Sequence, residues 1–174
     1  NTYSEKESEK KAKDIAQFYK APFLVFDFRK SFKKQIIDQF INDFKKGITP
    51  NPCVCCNRDI KFKLFFEEAK KRGADFIATG HYVKKRGDFL YKVNDETKDQ
   101  SYFLWGLSKK QIKNSLFPLA NLNKENIKEI IKKDRVKISK ESQEICFVED
   151  DIYDFLKSKI KPKKGKIINN EGVV

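Results

Sequence analysis

Methionine is absent, tryptophan and histidine occur once each, and cysteine occurs only four times in 174 residues. No apolar run approaches the roughly 18 residues of a membrane-spanning helix, and no segment has the plan of a signal peptide. Four unevenly spaced cysteines do not make the framework of a small secreted disulfide-bonded protein. A reducing cytoplasm is therefore expected, with the thiols available for metal or catalytic chemistry. No internal repeat or low-complexity linker interrupts the chain. It starts on asparagine and stops on INNEGVV, inside a strand-like phrase, so a piece of a longer protein is expected.

What is present is positive charge. Lys and Arg number 38 against 25 Asp and Glu, a net charge of +13. That balance points to a polyanionic partner, nucleic acid ahead of a membrane surface, with a merely solvated Lys-rich surface as the bland alternative. A hydrophobic content of 39% suffices for a packed core of one domain or one and a half.

Residues 4–20 read as a helix with Ala12, Ile15, Ala16 and Tyr19 on one face. PFLVFDF (22–28) reads as a strand buried on both faces. From Ser31 as N-cap, Phe32, Ile36, Phe40 and Phe44 recur every fourth residue beside Ile37 and Ile41, and Gly47 closes that helix. Pro50 and Pro52 are expected to bar helix and hold an extended loop. A helix follows over about 58–72, with Ile60, Leu64, Phe65 and Ala69 inward, then a buried strand over 75–80 ending in Gly80. HYVKKRGDFLYKV predicts a hairpin turning at Gly87-Asp88. Beyond it, short helices are expected at Ser108–Leu116, Asn123–Lys133 and Tyr153–Lys159, with mixed strand and loop over Val136–Val148. This order predicts an α/β fold with a parallel sheet, whose ligands bind past the strand ends, where Gly80 and His81 lie.

The stretch TPNPCVCCNRDIKF holds Cys53, Cys55 and Cys56, and Cys146 stands alone in SQEICFVED. Three readings are open. Cys53 and Cys56 form a CxxC that can reach one metal, and Cys146 would make a third thiolate with an open fourth position. No second CxxC supports a closed structural zinc site. Alternatively the thiols are reactive, because a helix start and the cations Arg58 and Lys61 favour thiolate. The third reading is packing, which suits Cys55 best.

TPNPCVCCNRDIKF, ADFIATGHY, KDQSYFLWGLS, LFPLANLNKENIKEI, SQEICFVEDDIYDFL and KPKKGKI together resemble, in order, blocks of the bacterial tRNA-specific 2-thiouridylase (MnmA/TrmU) family. The resemblance implies a partial PP-loop ATP pyrophosphatase core, similar to the adenine nucleotide alpha hydrolases, followed by a small, mostly helical segment. It implies a tRNA-uridine 2-sulfurtransferase that adenylates the wobble uridine O2 with Mg-ATP and then installs sulfur. By motif, Cys146 matches the persulfide cysteine and Cys56 the nucleophile that forms a disulfide with it. Asn51, Pro52 and Cys53 match the target-base contacts, Gly80 an ATP contact, and His81, Lys98, Asp99 and Gln100 tRNA contacts. The implied partners are the tRNA anticodon stem-loop and a sulfur-carrier relay protein or cysteine desulfurase, with no membrane. Tyr102, Phe103 and Trp105 are candidates for stacking on a flipped base, although core packing is the default reading.

Two departures from the family pattern matter. Cys53 stands where the family commonly has Asp, which weakens a general-base role there. It opens a version in which Cys53, Cys56 and Cys146 hold a [4Fe–4S] cluster and no disulfide forms. The phosphate-binding SGGxDSS loop is also missing, so ATP-dependent thiolation by this chain alone is not expected. The expected divisions are 1–105 for the catalytic core, 106–160 for a helical tRNA-contacting region, and 161–174 for the start of a further β domain. The alternatives are a PP-loop sulfurtransferase for another tRNA position, or a non-catalytic metal- or RNA-binding fragment.

Overall fold

The computed structural model describes residues 2–122, 126–127, 129–130, 132, 145–148, 151–161, 165–166 and 168–172. Helix α1 spans Thr2–Phe18. Its apolar residues pack little, and Ile15 is 40% exposed. The next helix, α2, runs over residues 29–45 as Arg29–Phe32, a π-wound turn at Lys33–Ile37, and Asp38–Lys45. It starts before Ser31, after Phe28, with the Asp27 carboxylate accepting from the Arg29 N–H at 3.0 Å. The aromatic stripe is as the periodicity predicts, with Ile36 and Phe40 buried. Gly47 follows at φ +76°, a left-handed turn that glycine adopts without strain.

Helix α3 covers residues 52–70: Pro52–Cys55, a ten-residue π-helix at Cys56–Phe65, and Phe66–Lys70. The prolines do not exclude helix here. Pro52 takes the first helical position, where its missing N–H costs nothing and its fixed φ suits the helix. The Asn51 Oδ1 caps the helix by accepting from the Val54 N–H at 3.3 Å. The inward face is partly the expected one: Ile60 is buried and Ala69 packs on the core, but Phe62 and Phe66 are buried and Phe65 is 37% exposed.

Strand β1 (Ile77–Ala78) pairs in parallel with β4 (Ser115–Leu116), in register Ile77 with Ser115. The expected strand over 75–80 is thus present as a short core, and β4 is an element the sequence reading assigned to helix. Between them lie the hairpin β2 (Lys84–Arg86) and β3 (Phe89–Tyr91), turning at Gly87 with φ +59°. A 3-10 turn follows at Ser101–Leu104, then α4 at Lys109–Lys113. Residues 22–28, by contrast, are extended without a strand partner among the described residues, with Leu24 60% and Val25 61% exposed. Near the C-terminal end α5 spans Ile152–Lys157, with Asp151 accepting from the Tyr153 and Asp154 N–H groups. Most of the expected helix at Asn123–Lys133 and of the segment 136–148 lies outside the described residues.

One core holds α3, the strands and the 3-10 turn together: Phe62, Phe66, Ile77, Val83, Leu104, Leu107, Ile112 and Phe117. Two polar side chains fasten its edges. Lys85 of β2 donates to the carbonyls of Ile112, Lys113 and Ser115, satisfying the open end of α4. Gln111 completes a capping box with Ser108, and its Nε2 donates to the carbonyls of Arg58 at 2.8 Å and Phe62 at 3.1 Å. A side chain on α4 therefore braces the π-wound backbone of α3.

Gln111→Ala is expected to cost about 1–3 kcal/mol of stability in urea unfolding. Gln111→Glu keeps the cap acceptor but loses the donor, so a comparable loss is expected. An unchanged stability for Gln111→Glu would show that the brace contributes nothing.

Candidate functional site

Helix α3 presents Cys53, Asn57 and Lys61 to a cleft of about 970 Å³. His81 and Gln100 form another wall, with Tyr102 and Phe103 of the 3-10 turn, and Ile145, Asp151 and Ile152 close it from the C-terminal part. Asn51 and Pro52 line its rim, so the proposed base-contacting trio lies together at one site. All four cysteines are free thiols; Cys146 is exposed and the others are half-buried.

Cys146 is held near the cleft by its neighbours. Ile145 lines the cleft and Val148 is buried. Phe147 packs edge-on against Phe32 and Phe40 of α2, at 5.9 and 5.2 Å between ring centroids, and against Phe155 of α5 at 5.7 Å. The anchored turn leaves the thiol outward, within electrostatic reach of Cys53 and Cys56. The fold thus brings together cysteines from distant parts of the chain.

Their ionisation departs from the expectation. Burial pushes the Cys56 thiol up to about 11 from an ordinary 9.0, with the Lys61 ammonium pulling the other way. Burial also raises Cys53, which the neighbouring Cys146 sulfur reinforces and Lys61 opposes. Desolvation outweighs the favourable charges, so the resting site holds neutral thiols instead of thiolates. Arg58, the other cation named from the sequence, is engaged with Asp59 at 2.7 Å and does not line the cleft.

His81 lines the same cleft as Cys53 and is a neutral base. Burial, and then the Lys61 charge, lower it to about 4 from 6.5, and its Nδ1 lies 2.9 Å from the Thr79 hydroxyl. The Lys98-Asp99-Gln100 triplet divides. Gln100 faces the cleft, and its Oε1 accepts from the Tyr82 N–H. Asp99 binds its own loop, accepting from the Val93 N–H and from the Ser101 N–H and hydroxyl. Lys98 lines a separate cavity of about 300 Å³ with Tyr82, Asp95 and Leu122. Tyr102 and Trp105 are not core residues: they are 65% and 69% exposed, while Leu104 between them is 1% exposed. Gly80 follows β1 but lines neither cavity.

Among the described residues no group of three or more His, Cys, Asp or Glu side chains is placed to hold a metal ion. As arranged, Cys53, Cys56 and Cys146 do not fit a [4Fe–4S] centre.

Residues 1–150 match the family model described as the tRNA methyl transferase HUP domain. The chain is 39% identical over 160 residues, 91% of its length, to the tRNA-specific 2-thiouridylase MnmA of Thermus thermophilus. It belongs to the MnmA family. It is also 46% identical to the MnmA of Karelsulcia muelleri over 88% of its length, and 41% identical to MnmA 1 of Clostridium tetani over 95%. These alignments cover 44%, 43% and 48% of the relatives, so the chain spans under half of their length. The α/β architecture with a parallel strand pair agrees with a HUP domain. No helix among the described residues is long and apolar enough to cross a membrane.

Lys61 is the residue the motif reading left without a role beyond charge. It lines the cysteine cleft and also an apolar groove of about 770 Å³ walled by residues 23–29. In an α-helix a residue five positions after Cys56 would point away; in the π-helix the two share a face. Iodoacetamide labelling of Cys56, with the other cysteines replaced by serine, is expected to keep rising with pH toward about 11. Lys61→Gln removes the one opposing cation and should shift the profile further up. A midpoint near the ordinary thiol value of 9.0, unchanged when Lys61→Gln is added, would show that neither effect operates.

Proposed function

We propose that this chain forms part of a tRNA-uridine 2-sulfurtransferase, carrying its sulfur-transfer cleft. The observation that carries the reading is that Cys53 lines one cleft with His81, Gln100 and the Asn51–Pro52 rim, while Cys56 and Cys146 lie within electrostatic reach of it. The family description names methyl transfer and the relatives' names thiolation; free thiols at the cleft favour sulfur.

The chemistry that suits these residues has two stages. ATP, with Mg²⁺, adenylates the uridine O2 and releases pyrophosphate; the magnesium has no assigned ligand in this chain. Cys146 carries a persulfide delivered by a sulfur-carrier protein or a cysteine desulfurase. The Cys56 sulfur attacks the Cys146 Sγ, breaking the persulfide S–S bond, forming a Cys56–Cys146 disulfide and releasing hydrosulfide. Hydrosulfide adds at C2 of the uracil and AMP leaves with the former O2. A dithiol reductant returns two electrons to regenerate both thiols. The site protects hydrosulfide by burial, and neutral His81 can offer a hydrogen bond there without adding charge.

The partner is the tRNA anticodon stem-loop, with its target base flipped into the cleft beside exposed Tyr102. The net charge of +13 supports backbone attraction that weakens with salt. Asn51, Pro52 and Cys53 contact the base, and His81, Lys98, Asp99 and Gln100 serve tRNA binding. Of these, Asp99 acts by shaping its loop. In this reading residues 1–105 are the catalytic core, 106–160 a tRNA-contacting region and 161–174 the start of a further domain, and the protein acts in the cytoplasm.

Gly80 is proposed as an ATP contact because the fold does not need glycine there. A Cβ would meet only the Leu119 side chain, at 3.7 Å. In protein of the full family length, Gly80→Ala is expected to keep stability within about 0.5 kcal/mol while weakening ATP binding. Unchanged ATP affinity would remove Gly80 from the site.

The decisive experiment is nucleoside analysis of tRNA from cells expressing full-length Cys56→Ser or Cys146→Ser. Each is expected to lower 2-thiouridine by about a thousandfold with little change in melting temperature. Intact thiolation in either variant would defeat the relay, and a different missing thionucleoside would move the target position.

A further inference from the structure

Asn57 is a polar residue of the cleft to which the motif reading gives no role. It is only 2% exposed, next in sequence to Cys56 and one turn beyond Cys53, and it lines the cleft. Its Nδ2 donates to the Phe103 carbonyl at 3.1 Å. A carbonyl only accepts, so this bond fixes the amide orientation: the nitrogen faces Phe103 and Oδ1 faces away from it. That Oδ1 is buried and has no hydrogen-bond partner among the described residues. Buried acceptors are normally paired, and an unpaired one costs as much as a lost hydrogen bond. A ligand donor arriving in the cleft would repair the deficit.

We propose that Asn57 is a specificity-determining residue, whose Oδ1 accepts the N3–H of the target uracil. This rests on the reading that a flipped uridine enters the cleft. Uracil carries a donor at N3, whereas cytosine carries an acceptor there and would face Oδ1 lone pair to lone pair. N3 is bonded to C2, the atom that takes up sulfur. An anchor at N3 therefore also fixes C2 relative to Cys56, the adjacent residue on α3. The Phe103 tie makes the reader rigid, because it joins α3 to the 3-10 turn that forms the opposite wall. Rejection of a base that leaves a buried polar group unpaired is stronger than rejection by shape alone.

The test uses protein of the full family length and three anticodon stem-loops, carrying uridine, N3-methyluridine or an abasic nucleotide at the target position. Dissociation constants are measured at one fixed salt concentration. Wild type is expected to bind the uridine RNA about tenfold or more tighter than the N3-methyl RNA. Asn57→Ala should lose about the same factor on uridine and become indifferent to the methyl group. Equal wild-type affinity for uridine and N3-methyluridine overturns the proposal. So does a methyl penalty that persists undiminished in Asn57→Ala, since it would then be steric. An abasic RNA bound as tightly as the uridine RNA overturns the cleft reading itself. Tight uridine binding over abasic without methyl discrimination sinks only Asn57. Thermal unfolding of Asn57→Ala checks the fold, with Asn57→Ser as its replacement; the wild-type comparison alone can still overturn the idea.

Discussion

Helix α3, π-wound over residues 56–65, carries the side chains around which the rest of the site is arranged. A π-helix stacks residues five apart instead of four, and it rarely extends beyond one turn because its backbone packs less well. Here it spans ten residues. The Gln111 amide braces it by donating to two of its carbonyls, and Phe62 and Phe66 bury one side of it. Cys53, Asn57 and Lys61, four residues apart along α3, line the cleft while Phe62 and Phe66 face the core.

Charge and chemistry are separated in this molecule. The large positive excess lies on the surface, where it can attract a polyanion over a distance. Inside the cleft the charged lining residues are one cation, Lys61, and one anion, Asp151. Burial governs what remains: it raises Cys53 and Cys56 and lowers His81, so each is uncharged near neutral pH. Such a pocket suits transfer of a reactive sulfur anion, which water would otherwise protonate or carry away. Lys61, standing between the cleft and the apolar groove, is placed to meet negative charge arriving from either side.

Much of the local structure was legible because it depends on neighbours in sequence. The Phe32–Phe44 stripe, the Gly87-Asp88 turn and the short helix near Tyr153 follow from periodicity and turn chemistry, and each is present. Other expectations failed where the outcome depended on partners far along the chain. PFLVFDF has the composition of a buried strand, yet a strand needs an edge to pair with, and none among the described residues adjoins it. Ser115 and Leu116 looked helical by continuity with Ser108–Lys113, but pairing with Ile77 and Ala78 draws them into a sheet. Tyr102 and Trp105 were assigned to the core by hydrophobicity, although the 3-10 turn points Leu104 inward and leaves both rings exposed.

The sequence by itself determined the Gly47 helix stop, the hairpin, the aromatic stripe and the motif set that marks the family, since these are written in residue types at fixed short spacings. Only the tertiary structure decided that Pro52 begins a helix, that Cys146 comes within reach of Cys53 and Cys56, and that burial keeps Cys53 and Cys56 neutral. It alone exposed the unpaired Asn57 oxygen. Desolvation and hydrogen-bond satisfaction depend on what surrounds a side chain in space, and the surroundings here come from segments tens of residues apart.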